Sequence, residues 1–473
     1  MSATLNAADA GLLERLAEVL GPGGTRQPEA RDLEEPRGRY HGQAAAVLRP
    51  DTTAALAAAV RLCAEARVGI IPRSGGTGLV GGQVFTDGPA PVIVSFERMT
   101  RIREVDPTGN VLFAEAGAVL ADVQAAARGA GRLFALSLAS EGSAQIGGLL
   151  AANAGGIGVL RYGSARDLCL GIEAVLADGT VLNGLSPLVK DNFGYNLRHL
   201  VIGSEGTLGL ITAASLRLHP LPEETATAWV AVPSPAAALE LLGRMRAALG
   251  GSISAFELIH AQSLSIIAET MPEWPRPPAL ESEWIVLMEA ADARAAEVPA
   301  RLEEALAEAM VAGVALDVLV AQSEAQRGVF WGVREVIPEA NRLIGAIASH
   351  DLSLPISKVG EFVTTAGGAL AAIDPDLRVN CFGHVGDGNL HYNVFPPKGR
   401  DRGEYDPIRT RITRVLHDLV ATMGGSVAAE HGVGRLKAAD LERYADPGKL
   451  AAMRAIKQAL DPRGILNPGA VLK

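Results

Sequence analysis

The chain has 473 residues, too many for a single hydrophobic core, so two or three domains are expected. Hydrophobic residues make up 48% and charged residues 20%, the balance of a globular protein, and the net charge of −10 argues against a nucleic-acid binder, which needs a basic surface. Cys63, Cys169 and Cys381 are odd in number and far apart, so no disulfide framework and no zinc-finger spacing is expected, and a reducing compartment such as the cytoplasm fits.

In chain order, residues 1–42 read as a helical N-terminal segment broken at Gly21-Pro22-Gly23-Gly24. Met1–Leu20 carries Asp9, Glu14 and Glu18 and lacks the basic start and apolar core of a signal peptide. Residues 43–221 mix strands with glycine-rich loops. The pattern predicts a helix over Leu56–Ala66, strands at Val68–Pro72, Pro91–Phe96 and Val111–Ala116, and a helix over Val119–Ala130. Asp178-Gly179 between Ile172–Leu176 and Val181–Leu182 is a hairpin signal. Pro220-Leu221-Pro222 marks a boundary. Residues 222–473 then alternate strands (Trp229–Val232, Ser252–Leu258, Trp284–Glu289, Ala315–Val320) with helices (Pro235–Leu249, Val298–Val311, Ser323–Ile347), which predicts an α+β domain with helices on one face of its sheet. After about residue 402 the chain reads mostly as helix, interrupted by a strand end at Glu430-His431. Gly142–Leu160 is uncharged but rich in glycine, with Gln145 and Asn153, and reads as a buried binding loop. No transmembrane helix is expected.

Three glycine clusters fall within about 140 residues: Pro72–Gly82, Gly142–Gly156 and Gly203–Gly209. Gly76, Gly78 and Gly81 match G-x-G-x-x-G, but turn residues follow where a Rossmann loop needs a helix. A glycine loop without that helix still offers consecutive N–H groups to a phosphate. Three such loops, interleaved with Ser, Thr, Gln and Asn, point to backbone wrapped around a large cofactor, since glycine permits close approach.

The densest chemistry lies in Cys381–Asn393. Read as a hairpin turning at Gly386–Asn389, it places Val385 opposite Leu390 and His384 opposite His391, with Cβ atoms roughly 4.5–5.5 Å apart. Asn393 falls on the His391 face. Ala429–Gly434 adds Glu430 and His431. Two histidines and one glutamate leave open positions on a zinc-like ion, as catalytic metal sites do.

These loops resemble the FAD-linked oxidase family, the vanillyl-alcohol-oxidase (PCMH) type of flavoprotein. The matching segments are Pro72–Gly82, Gln145–Gly156, Lys190–Leu197 and Ile202–Ile211. His384–Asn393 and Glu430–Gly434 are similar to one branch of it, the FAD-dependent D-2-hydroxyacid dehydrogenases, which include D-lactate and D-2-hydroxyglutarate dehydrogenases. The resemblance spans nearly the whole chain from about residue 40.

It implies an α+β fold: a PCMH-type FAD domain of two small α+β subdomains, and a C-terminal cap with an antiparallel sheet and helices. It also implies FAD held by Arg73, Ser74, Gly75, Gly76, Thr77 and Gly78 at the pyrophosphate. Gly142, Ser143, Gln145, Gly148, Asn153, Gly155, Gly206 and Ile211 would lie along the rest, with Asn467 near the ring. No histidine occurs between Arg73 and Gly82, so the FAD is expected to be noncovalent.

A divalent metal, zinc first and manganese or another next, would sit on His384, His391 and Glu430. It would lower the pKa of a 2-hydroxy acid's hydroxyl. His431 would be the base, Asn393 and Arg334 would bind the substrate, and hydride would pass from C2 to flavin N5. An acceptor (flavoprotein, quinone or cytochrome) would reoxidise the flavin, in a cytoplasmic or peripherally membrane-associated protein that could be a homodimer.

Two departures bear on the substrate. The D-2-hydroxyglutarate members carry Thr four residues after the arginine, where this chain has Pro338. They also carry Lys where it has Ser349, and His350 could replace part of that charge. This leaves D-lactate or another 2-hydroxy acid open. The alternatives are an oxygen-using oxidase, a non-catalytic flavin subunit of a larger complex, and a metal hydrolase.

Overall fold

A computed structural model describes residues 4–292 and 297–472. Met1–Ala3 and Lys473, the ends of the expected N-terminal and cap segments, lie outside them. The chain forms two compact units. The first comprises residues up to Gly155, Gly163–Pro220, and Glu430 onward. The second comprises Gly156–Tyr162 and Leu221–Ala429. The units are thus drawn differently from the sequence-based segments: the N-terminal stretch and the chain after Ala429 both pack in the first unit.

The first unit holds two main sheets. Strands β1 (Thr25–Arg26), β2 (Ala46–Leu48), β3 (Ile70–Arg73) and β4 (Val92–Ser95) make one, in the order β1-β2-β4-β3, with β4 parallel to both β2 and β3. Strands β5 (Ile102–Asp106), β6 (Val111–Glu115), β8 (Cys169–Val175), β9 (Val181–Gly184) and β10 (Leu210–Arg217) make the other, antiparallel, in the order β5-β6-β10-β8-β9. The short β7 (Arg132–Leu133) and β11 (His219–Pro220) pair separately. β8 and β9 are the hairpin that Asp178-Gly179 predicts.

Helices Ala10–Leu20 and Thr53–Ala66 cover the first sheet. Leu16, Leu56 and Val60 pack there with Ile70 and Val92. Ile465 and Leu466 from the C-terminal segment join the same core, and Leu466 bridges to Ile70.

The second unit is built on one seven-stranded antiparallel sheet. Its strands are β12 (Glu224–Val232), β13 (Ile253–His260), β14 (Trp284–Asp292), β15 (Asp317–Val320), β16 (Ala348–Ser353), β17 (Arg378–Gly383) and β18 (Asn389–Phe395). The order is β15-β12-β14-β13-β17-β18-β16. Helices cover both faces, which corrects the one-face expectation. The β12 and β14 sequences, ETATAWVAV and WIVLMEAAD, carry apolar residues in both alternations, so both faces must be buried.

Val230, Val286 and Leu258 meet helices Pro235–Leu249, Val298–Val311, Val359–Ala371 and Asp406–Thr422 on one side. Trp229, Ile285 and Ile259 meet helices Ala261–Thr270 and Glu324–Ile344 on the other. No helix among the described residues is long and apolar enough to cross a membrane.

Candidate active site

In the first unit the glycine loops converge because glycine lets them touch. A Cβ on Gly75 would lie 2.1 Å from the Ser143 carbonyl oxygen, and one on Gly148 would lie 2.8 Å from Ser74 Cβ. The Ser74 hydroxyl donates to Gln145 Oε1 at 3.1 Å and accepts from the Gly148 N–H at 3.1 Å. Gly206, at φ +72°, packs on Pro72 of β3, where a Cβ would come 2.4 Å from Cγ. Arg73 donates to the Arg31 carbonyl at 2.6 Å, and its guanidinium lies 3.9 Å from Asp32.

Asp32 is buried and takes two hydrogen bonds from Arg26, at 2.5 and 2.8 Å. Burial pushes its carboxyl upward, but Arg26, the Glu29 N–H and Arg73 outweigh that and hold it below the ordinary range.

Glu430 and His431 lie in a bend, not at a strand end. Glycine turns at Gly432 (φ +81°) and Gly434 (φ +50°) follow, which strand backbone cannot accommodate. His431 Nε2 is 3.5 Å from Glu430 Oε1. The loop is tied down by Glu205 of the third glycine cluster, whose half-buried carboxylate accepts the N–H groups of Val433 (2.7 Å) and Gly434 (2.8 Å). Asn467 donates to the Gly82 and Glu205 carbonyls (3.0 and 2.8 Å) and accepts from Arg435, so its carboxamide ties the loops together.

In the second unit the pairing of the histidine segment is shifted by two residues from the reading above. In β17–β18, His391 is opposite Phe382 and Tyr392 opposite Cys381, while His384 stands beyond the strand, before a 3-10 turn over Val385–Asp387. The loop therefore starts at His384 and takes it out of the ladder. The two imidazoles still come together, with ring centroids 5.8 Å apart. Asn393 shares the His391 face and is opposite both Asn380 and Ser349. Asn380 accepts from Ser263 (2.6 Å) and donates to Asn341 (3.0 Å).

Beside His384 lies Glu257, which the sequence reading missed. Its Oε1 is 2.5 Å from His384 Nδ1, and its Oε2 accepts from Arg334 Nε at 2.6 Å. Burial raises the Glu257 carboxyl, but the charges of His384 and Arg334 more than reverse this and bring it to about 2. The Arg334 guanidinium also stacks over Phe382, 4.9 Å from the ring centre. The signal was available: Glu257 is a carboxylate inside the otherwise apolar run Ala255–Ile259, and buried carboxylates need partners.

His350 does not face this site. Opposite Tyr392 on an alternating strand, it points to the other side of the sheet, where its Nδ1 lies 3.1 Å from His417 Nε2. It therefore cannot replace a cation at Ser349, because neighbouring strand residues face opposite ways.

Residues 44–184 match the model of an FAD binding domain, and residues 221–471 match that of the FAD linked oxidases' C-terminal domain. The chain belongs to the FAD-linked oxidase family. This FAD-linked oxidase is 37% identical over 437 residues to the mitochondrial D-2-hydroxyglutarate dehydrogenase of Bos taurus (91% of this chain, 77% of that one). It is 35% identical over 436 residues to its namesake from Arabidopsis thaliana (92% and 76%). It is 34% identical over 428 residues to the D-2-hydroxyglutarate dehydrogenase of Xanthomonas citri pv. viticola (90% and 89%).

Its fold is that of p-cresol methylhydroxylase (TM-score 0.76, 15% identity, 100% of this chain and 99% of that one). The 4-ethylphenol oxidase of Gulosibacter chungangensis shares it too (0.72, 18%, 99% and 98%). As a member of this family the protein is an FAD-dependent oxidoreductase with the expected α+β, PCMH-type fold.

The glycine contacts suit FAD: Gly75 and Gly148 keep two loops closer than any side chain would allow, while a Cβ on Gly142 would meet nothing within 4 Å. Asn153 is drawn elsewhere. Left-handed at the end of helix Ile146–Ala152, it accepts from Ser164 (2.9 Å) and the Arg166 N–H (3.0 Å). Ile211 is buried in β10. The three cysteines are buried and free, with thiols pushed up to about 12 by burial, so they are poor nucleophiles.

Proposed function

We propose that this FAD-linked oxidase oxidises a D-2-hydroxy acid to the 2-oxo acid, with noncovalent FAD and a divalent metal, zinc foremost. The observation that carries it is the arrangement around Glu257: a histidine pair, His384 and His391, on the same sheet face as Asn393, with an arginine tied to the same carboxylate as His384. The names of the relatives support a D-2-hydroxy acid as substrate.

The donor set fits a divalent cation. His384 meets Glu257 through Nδ1, so Nε2 on the other edge of its ring would be the ligating atom, with His391 and Glu430 completing a set of two imidazoles and one carboxylate. Held there, such a cation would supply Lewis acidity toward a substrate hydroxyl, and FAD would supply the hydride acceptor. The chain's own residues do the rest. His431 takes the hydroxyl proton at its imidazole, as a general base. Arg334, with Nε given to Glu257, offers its two amino groups to the substrate carboxylate, and Asn393 hydrogen-bonds the substrate.

D-2-hydroxyglutarate is the first candidate, on the strength of the relatives. A shorter acid such as D-lactate is the second, favoured by Ser349, an exposed and uncharged residue opposite Asn393 on β16. Anaerobic titration of the flavin with D- and L-2-hydroxy acids, with and without chelator, separates the readings. The account predicts bleaching by D-acids that chelation abolishes. Bleaching by L-acids only, or bleaching untouched by metal removal, contradicts it.

A further inference from the structure

We infer that Glu257 is a positioning residue that aligns two parts of the site at once: it fixes His384 as the Nδ1–H tautomer, with Nε2 as the metal-ligating atom, and it aims the Arg334 guanidinium. This rests on the metal-assisted reading above and extends it to a residue outside the ligand set.

The backbone makes the arrangement obligatory. β13 pairs with β17 through Leu258 opposite Gly383 and Ile259 opposite Phe382. One step further along that register, Glu257 faces His384. Phe256 and Leu258, its neighbours in β13, belong to the core on the opposite face, so Glu257 is turned to the face covered by helix Glu324–Ile344, which carries Arg334.

The two carboxylate oxygens are divided between the two partners, Oε1 to His384 and Oε2 to Arg334. Oε1 occupies the Nδ1 edge of the ring at 2.5 Å, so the hydrogen of a neutral ring is drawn to that edge and Nε2, on the other edge, is the nitrogen left for a metal.

The contacts also close into a ring. Arg334 stacks on Phe382 (4.9 Å), Phe382 meets His391 (5.0 Å between centroids), and His391 meets His384 (5.8 Å), which returns to Glu257. A shift of Glu257 therefore reaches both histidines and the arginine.

The test measures zinc affinity by chelator competition on the FAD-loaded wild type, Glu257→Gln and Glu257→Asp, alongside KM and kcat. The expected result is zinc binding about 10- to 100-fold weaker in Glu257→Gln. KM should rise as Arg334 loses its anchor, and Glu257→Asp should recover part of both. Zinc affinity of Glu257→Gln within twofold of wild type overturns the inference.

Because Glu257→Gln leaves Arg334 without its counter-charge and so endangers folding, a second measurement uses the wild type alone. Imidazole ¹⁵N shifts of His384 in the metal-free protein should report hydrogen on Nδ1. A predominant Nε2–H form overturns the inference. Neither readout needs turnover. If no hydroxy acid bleaches the flavin while the zinc and NMR results hold, the proposed reaction fails and the role of Glu257 stands. Turnover with unchanged zinc affinity defeats the role of Glu257 alone.

Discussion

At the scale of single residues, the most instructive contrast is between His384 and Glu257. The histidine was legible because it sits in a glycine-rich turn with a second histidine nearby, and the structure brings the two rings together. Its register was not legible, because the loop runs over His384–Gly388 with a 3-10 turn inside it, not over the four residues Gly386–Asn389. Glu257 was overlooked because a strand run invites reading for apolar content, and its partners come from residues 77 and 127 positions away.

Asp32 shows the same physics in the first unit and gives a test at this scale. Its carboxyl is held below the ordinary range by Arg26, so its contribution to stability is complete above the ordinary value of about 3.8 and drains away as pH falls below it. Asp32→Asn should lower unfolding stability at pH 7 by on the order of 2 kcal/mol, the scale of hydrogen bonds to a charged group. Denaturant melts at pH 7 and at about pH 3 should show the gap between variant and wild type narrowing on acidification. A constant gap would contradict the assignment.

At the scale of elements, those with strong local signals were read closely. Helix Pro235–Leu249 begins with a Ser234 cap bonded to the Ala237 N–H and proline in its first turn, and the pattern gives the observed bounds. Strand β16, which begins just after the predicted helix Ser323–Ile347, was not read from the sequence, because Ala348–Ser353 has no apolar run of its own. It forms by pairing with β18 at the sheet edge. Helix Val359–Ala371 was missed because Thr364, Thr365, Gly367 and Gly368 weaken its helical signal, and packing through Phe362, Ala366 and Leu370 overrides that weakness.

The glycine loops could be counted in the sequence, but which loop touches which could not. The contact of Gly75 with the Ser143 carbonyl turns this into a prediction. Gly75→Ala must separate the first and second loops, so flavin retention on dialysis, followed by absorbance, should fall about tenfold or more. Full retention would mean that this contact does not shape the FAD site.

At the scale of the whole molecule, the boundary after Pro220 was marked by its prolines, whereas the return of the chain after Ala429 to the first unit was not. The returning segment is largely helical, and nothing in a helical pattern says which core it joins. The anchors are long-range: Leu466 against Ile70, Lys457 donating to the Thr207 carbonyl, and Glu205 holding the loop after His431. The proposed metal site likewise draws on residues about forty positions apart in the chain, His384 and His391 with Glu430. That spacing is why the residue types could be read early and their cooperation could not.

The most direct measurement is an anomalous difference map from crystals of the metal-replete protein, collected at the absorption edge of the bound metal. The account predicts a single strong peak bonded to His384 Nε2, His391 and Glu430. Metal-replete crystals with no peak there, or with the His384 ring turned so that Nδ1 is the ligand, would contradict it.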